Sequence, residues 1–132
     1  MPERTLAVGG RQVPRFLYGT AWKEDGAGPS DGVFAQLRQL YGAGPSDAAL
    51  WARVGLTPMI GRNDLPTEVF DQQEAREVLA FAQAVGVGRL SMWSLNRDRP
   101  SPSGSSGQAE PGSSGILQGP FEFTQTFLAL ER

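Results

Sequence analysis

Neither cysteine nor histidine occurs among the 132 residues. Their absence excludes disulfides, a thiolate nucleophile and any zinc site built on Cys or His ligands. Ser–His–Asp and Cys–His catalysis are excluded with them, so acid–base work is left to carboxylates, arginines, Lys23, Tyr18 and Tyr41. A strong charge of one sign is missing too. The balance of 12 basic and 14 acidic residues gives -2, too weak a field to draw nucleic acid or an acidic membrane surface. No run of about 18 apolar residues marks a transmembrane helix. The opening MPERTLAVGG has no apolar core or cleavage site of a secretory leader, so the default expectation is cytoplasmic. Glycine and proline, by contrast, are plentiful at 17 and 10 residues, which predicts long irregular stretches.

Along the chain, residues 1–25 carry a Gly9-Gly10 turn between Thr5-Leu6-Ala7-Val8 and Gln12-Val13-Pro14-Arg15-Phe16, which predicts a small β-hairpin. Residues 26–54 form a junction in which GAGPSD occurs twice, at Gly26–Asp31 and Gly42–Asp47. Each copy offers a turn and then an N-cap, Asp31 or Asp47. Helical spacing of Phe34, Leu37, Leu40 and Tyr41, then of Leu50, Trp51 and Val54, predicts short helices over Val33–Tyr41 and Ala48–Val54. A phosphate-cradling loop is not indicated, because the P-loop lysine and spacing are lacking.

Residues 55–98 are the most informative stretch. The apolar run Leu56–Ile60 stops at Gly61, a helical pattern follows, and a second strand is predicted over Arg89–Leu95. Asp71 stands as N-cap with Glu74 three residues on, a capping-box arrangement. Ala75, Val78, Leu79, Ala82 and Val85 share one face, and Gly86 suits a left-handed stop. Glu68, Glu74 and Glu77 read as solvated, dipole-favoured residues rather than a catalytic cluster. Two strands joined by such a helix must run parallel, as in doubly wound sheets and (β/α)8 barrels, whose sites lie at the strand C-termini. Those ends are Gly61–Asp64 and Ser94–Asp98. Strand alternation sets Leu90, Met92 and Ser94 on one side and Ser91, Trp93 and Leu95 on the other. Beyond, Arg99–Ser114 is low in complexity with two GSSG copies, and is expected to be mobile. An amphipathic helix is predicted within Ile116–Arg132, with Phe121, Thr124, Phe127 and Leu128 at helical spacing.

The wording of the two strand ends, VGLTPMIGRND and RLSMWSLNRD, resembles family 18 glycoside hydrolases of the chitinase type. The likeness extends from about Val33 through FAQLRQLYGAGPSDAALWARVG to the ending SGILQGPFEFTQTF. It implies an α/β fold, with this stretch as the seventh and eighth strands of an incomplete (β/α)8 TIM barrel and residues 55–132 as its C-terminal part. It also implies a sugar-binding wall made of Trp93, Met59, Asn63, Asp64, Asn96 and Asp98, with N-acetylglucosamine oligosaccharides as weakly held partners. For Trp93 two readings stay open, a platform for a sugar ring or a buried core aromatic. The strand-end polar residues equally suit turns.

Three departures qualify what the resemblance implies. Family 18 enzymes carry an Asp-x-x-Asp-x-Asp-x-Glu run whose Glu is the general acid in a substrate-assisted hydrolysis, and this chain has none. No catalytic residue, metal or cofactor is therefore assigned, and activity of the chain alone is not expected. A barrel takes about 250 residues, more than the chain offers. The cysteine pair that often brackets the loop after the eighth strand is absent as well. Residues 1–25 separately resemble the start of an aldo-keto reductase, a hairpin and then a strand ending in Gly19-Thr20, although no reductase tetrad can be placed. The alternatives are thus a remnant of an NADP-linked reductase, or a non-catalytic interaction protein that self-associates through an open sheet edge.

Overall fold

The computed structural model describes residues 5–8, 11–14, 18–20, 29–65, 67–105 and 107–131, with side chains described from Gly32 to Leu130. Its best-defined element is the helix α3, Gln72–Val85. The capping box forms in full: the Gln73 and Glu74 N–H groups donate to Asp71 Oδ1 at 2.8 and 3.1 Å, and the Asp71 N–H donates to Glu74 Oε2 at 2.8 Å. At the other end Gly86 takes φ 80°, the left-handed conformation that a side chain resists. Most of the face read from the sequence is buried, with Ala75, Val78 and Ala82 sealed and Val85 packed against the cluster, whereas Leu79 stays half-buried outside it.

This helix connects two parallel strands, β4 (Val54–Leu56) and β7 (Arg89–Leu90), in the register Gly55↔Arg89 and Leu56↔Leu90. A third strand, β3 (Tyr18–Thr20), lies parallel on the other side of β4, so the sheet order is β3-β4-β7. The expected parallel βαβ unit is therefore present. The N-terminal pair, β1 (Thr5–Val8) and β2 (Arg11–Pro14), is antiparallel as expected, one residue earlier on its second arm. The turn between them and Arg15–Phe16 lie outside the described residues.

Several boundaries differ from the sequence reading. Helix α1 spans Pro29–Tyr41 and α2 Asp47–Trp51. Asp31 is thus inside α1 and not its cap, because Pro29, whose ring presets a helical φ, opens the helix. Asp47 is not a cap either. The Ser46 hydroxyl accepts from the Ala49 N–H at 3.2 Å, and Asp47 turns to pair with Arg38. Val54 belongs to the strand rather than the helix before it. Between β4 and α3 the chain inserts a small antiparallel pair, β5 (Gly61–Arg62) with β6 (Val69–Phe70), each arm too short to show a period. The second strand ends before Leu95, where a single 3-10 turn runs Leu95–Arg97. The last helix, α4, is Glu122–Phe127, and it buries Phe123 and Phe127 while Phe121 and Leu128 stay exposed. The expected stripe was offset, because Pro120 and the positive φ of 54° at Phe121 reset where the helix begins.

One apolar cluster joins these parts. Leu50, Val54, Leu56, Ile60, Phe70, Val78 and Phe123 are all buried in it. Trp51 stacks on Phe34 at 4.5 Å and meets the edge of Phe81 at 5.7 Å, and Phe70 faces Phe123 at 6.1 Å. The first set ties α1 and α2 to α3, and the last ties α4 beneath the strand-end loops. Among the described residues no helix is long and apolar enough to cross a membrane.

Candidate functional site

Pairing of β4 and β7 continues past their regular ends and fixes where the site residues emerge. Ser91 N–H donates to Leu56 O at 2.8 Å, Trp93 N–H to Pro58 O at 2.8 Å, and Ile60 N–H to Trp93 O at 3.0 Å. Met59 and Trp93 consequently sit side by side across a parallel bridge at the strand C-termini. Trp93 is 62% exposed, which eliminates the core reading of this residue. A large indole left open at a strand end, while Leu90 and Met92 on the opposite side pack against the core, is an apolar platform that stacks on no aromatic ring among the described residues.

The polar residues divide into two groups. Asn63 and Asp64 lie on the turn after β5, where the Asn63 N–H donates to Glu68 O at 3.0 Å. Asp64 is exposed, and Asn63 is half-buried with an Oδ1 that accepts no hydrogen bond. Asn96 is exposed on the turn after Trp93, accepts from Ser94 Oγ at 2.6 Å and donates to Pro111 O. The Asn63 Oδ1 is closed to solvent, whereas Asp64 and Asn96 are exposed. Asp98 is not.

Asp98 is 0% exposed, which corrects its expected place in the rim. Its Oδ1 accepts from Gln118 Nε2 at 2.8 Å and the Phe123 N–H at 3.2 Å. Its Oδ2 accepts from the Thr124 N–H at 2.8 Å and Thr124 Oγ1 at 2.6 Å. The carboxylate is spent on the amides of the first turn of α4, a cap delivered from 25 residues upstream. No turn signal in the sequence reveals this, because the partners are remote.

Sequence reasoning also missed Arg97. It is 2% exposed. Its Nε donates to Glu110 O at 2.8 Å and Ser113 O at 3.2 Å, and its Nη2 to Arg62 O at 2.6 Å. Burial holds the guanidinium pKa below its ordinary value, with the charges of Asp64 and Glu110 acting in the opposite direction. The segment it grips, Glu110–Ser114, has serines 113 and 114 buried, although its composition reads as a solvated linker. Ser114 O accepts from the Arg62 N–H at 2.8 Å. Gly61, at φ 74°, makes that approach feasible, since a Cβ there would fall 2.0 Å from Ser114 O.

The arrangement sets an exposed indole beside a thioether, with the Asp64 carboxylate and the Asn96 amide exposed on the turns that follow the strands. Among the described residues no group of three or more His, Cys, Asp or Glu is placed to hold a metal.

Three known proteins are similar to this chain over part of its length. The chain is 45% identical over 68 residues to Endochitinase 11 of Metarhizium anisopliae. It is 43% identical over 68 residues to the probable bifunctional chitinase/lysozyme of Escherichia coli (strain K12). In fold it matches the catalytic domain of a hyperthermophilic chitinase from Pyrococcus furiosus, with a TM-score of 0.70 and 34% identity over 77% of this chain. The chain carries a chitinase-type segment of family 18. It spans 13% and 8% of the length of the two sequence relatives and 32% of the Pyrococcus domain. The 68-residue matches cover 52% of the chain. No protein-family model matches the chain.

Proposed function

We propose that this chain forms one wall of a binding site for N-acetylglucosamine oligosaccharides, built on the seventh and eighth strands of an incomplete (β/α)8 barrel. The observation that carries the reading is Trp93, a mostly exposed indole beside Met59 at the strand C-termini of a chitinase-type segment. A domain of the Pyrococcus chitinase, in catalytic-site mutants, has been captured with chito-oligosaccharides. The C–H face of a pyranose buries against such a ring, while Asn63, Asp64 and Asn96 offer donors and acceptors to its hydroxyl and acetamido groups. A single wall encloses little of the sugar, so affinity is weak, with a dissociation constant in the millimolar range worth about 4 kcal/mol.

The same reading makes the chain a binder and not a hydrolase by itself. Substrate-assisted hydrolysis needs an acid to protonate the leaving oxygen, and the sequence lacks the run that would supply it. Glu74 is engaged as the capping residue of α3 and Glu77 accepts from Gln73 Nε2 at 3.0 Å. We divide the chain into a reductase-like hairpin and strand over residues 1–25, a junction over 26–54, and the chitinase-type part from 55 onward with its loop at 99–114. The side of β7 that no described strand pairs, the position at which a barrel would continue, is the edge at which a second chain would add.

The test is a fluorescence titration with N-acetylglucosamine oligomers in a Trp22→Phe, Trp51→Phe background, which leaves Trp93 as the reporter. A saturable shift with millimolar midpoint is the expected result. A flat titration to the solubility limit would remove the sugar reading.

A further inference from the structure

We infer that Arg97 is the positioning residue of this wall: its buried guanidinium locks together the three loop segments that carry or support Trp93, Asn63 and Asp64. The inference rests on the sugar-site reading and extends it to a residue that touches no sugar. Arg97 closes the turn that begins at Ser94, directly after Trp93, with its own N–H donating to Ser94 O at 2.9 Å. Through Nη2 it holds Arg62 O, one residue before Asn63, and through Nε it holds Glu110 O and Ser113 O. The loop Glu110–Ser114 in turn fastens back on the Arg62 N–H through Ser114 O. One planar fork thus completes a ring of contacts Ser94–Arg97, Gly61–Arg62 and Glu110–Ser114.

The alternative is that Arg97 simply contributes to the stability of the whole fold. Where its bonds go argues otherwise. Among the described residues the hydrogen bonds of its side chain end on the Arg62 carbonyl of the short β5 arm and on the Glu110 and Ser113 carbonyls, and none reaches α3, α4 or the β3-β4-β7 sheet. The neighbouring Asp98 shows the contrast, because its carboxylate serves α4 and the Gln118 segment that leads into it. Two adjacent buried charges therefore divide the work, one shaping the site and the other anchoring a helix. Lysine cannot replace the fork, since a single ammonium on a flexible stem cannot reach carbonyls that a planar guanidinium meets in two directions.

The experiment compares Arg97→Lys with Asp98→Asn, both in the full chain carrying Trp22→Phe and Trp51→Phe. Readouts are the indole 15N shift of Trp93, amide exchange at Arg62, Ser114 and α3, and affinity for N-acetylglucosamine trimer. Arg97→Lys is expected to move the indole resonance and to speed exchange at Arg62 and Ser114 by about tenfold or more, with α3 protection unchanged within about twofold. Trimer affinity falls by about tenfold. Asp98→Asn is expected to lower the unfolding midpoint while leaving the indole shift in place. An unmoved indole with unchanged Arg62 exchange in Arg97→Lys overturns the inference, and so does loss of α3 protection, which would make Arg97 a support of the entire fold. Because the indole and exchange readouts require no sugar, they decide the role of Arg97 even if the parent chain binds none. In that case only the sugar reading fails.

Discussion

Replacing Asp98 by asparagine isolates a buried cap from an exposed one within a single chain. The carboxylate accepts four hydrogen bonds, two at each oxygen, from Gln118, Phe123 and Thr124. Asparagine keeps one acceptor oxygen and turns an NH2 toward the other pair of donors, so two bonds are lost whichever way the amide is oriented. Hydrogen bonds to a charged group contribute about 1.5–3 kcal/mol each, and a buried donor left unpaired adds its desolvation cost. The Thr124 hydroxyl and the Gln118 amide can rotate and recover part of this. A net loss of about 3 kcal/mol follows, a large share of the roughly 5–15 kcal/mol by which domains are stable. Asp71→Ala removes the exposed cap of α3, whose donors water can then satisfy, and should cost about 1 kcal/mol. Urea unfolding followed by circular dichroism measures both, and with a slope of about 1–3 kcal/mol/M the Asp98 midpoint drops by about 1–3 M. If Asp98→Asn costs no more than Asp71→Ala, the carboxylate is not the anchor of α4.

Further outcomes follow from the same contacts. Gly61→Ala should destabilise by about 2–4 kcal/mol, combining a left-handed backbone with overpacking against Ser114 O. Gly86→Ala, at φ 80° with nothing within 4 Å, bears only the backbone cost of about 1–2 kcal/mol, and equal losses in the two variants would refute the close approach. The chain should release no chromophore from chitobioside analogues, and turnover above a Trp93→Ala control would contradict the absence of a proton source. In hydrogen exchange, the amides of α3 should be the slowest, whereas Ser103 and Ser105, both exposed, should exchange within the dead time. Protection of those serines comparable to α3 would show that the tip of the loop is held down.

What could be read from the sequence was local. Asp71, Glu74 and Gly86 announce α3 because a cap is decided within four residues, and the 3,4 spacing of Ala75, Val78 and Ala82 points at the sheet because a helix face is set by its own period. Strand alternation likewise separated Trp93 from Leu90 and Met92. What was missed depends on distant partners. Asp98 sits in the same motif as Asn96, yet its carboxylate is claimed by amides at Phe123 and Thr124, and nothing nearby in sequence distinguishes the two. Arg97 in a polar run looks solvated, and Ser113 and Ser114 look like linker, until the loop folds back on Arg62. The β5–β6 pair has arms of two residues each, shorter than any alternation can reveal.

The central claim is that a sugar meets this chain at Trp93 and Met59. Mapping a titration with N-acetylglucosamine trimer by heteronuclear NMR tests it most directly. The account predicts concentration-dependent shifts at the Trp93 indole, the Met59 methyl and the Asn63 and Asn96 side-chain amides, with the Phe123 and Thr124 amides beneath Asp98 unmoved. Shifts centred elsewhere in the chain, or none at the Trp93 indole, would contradict it.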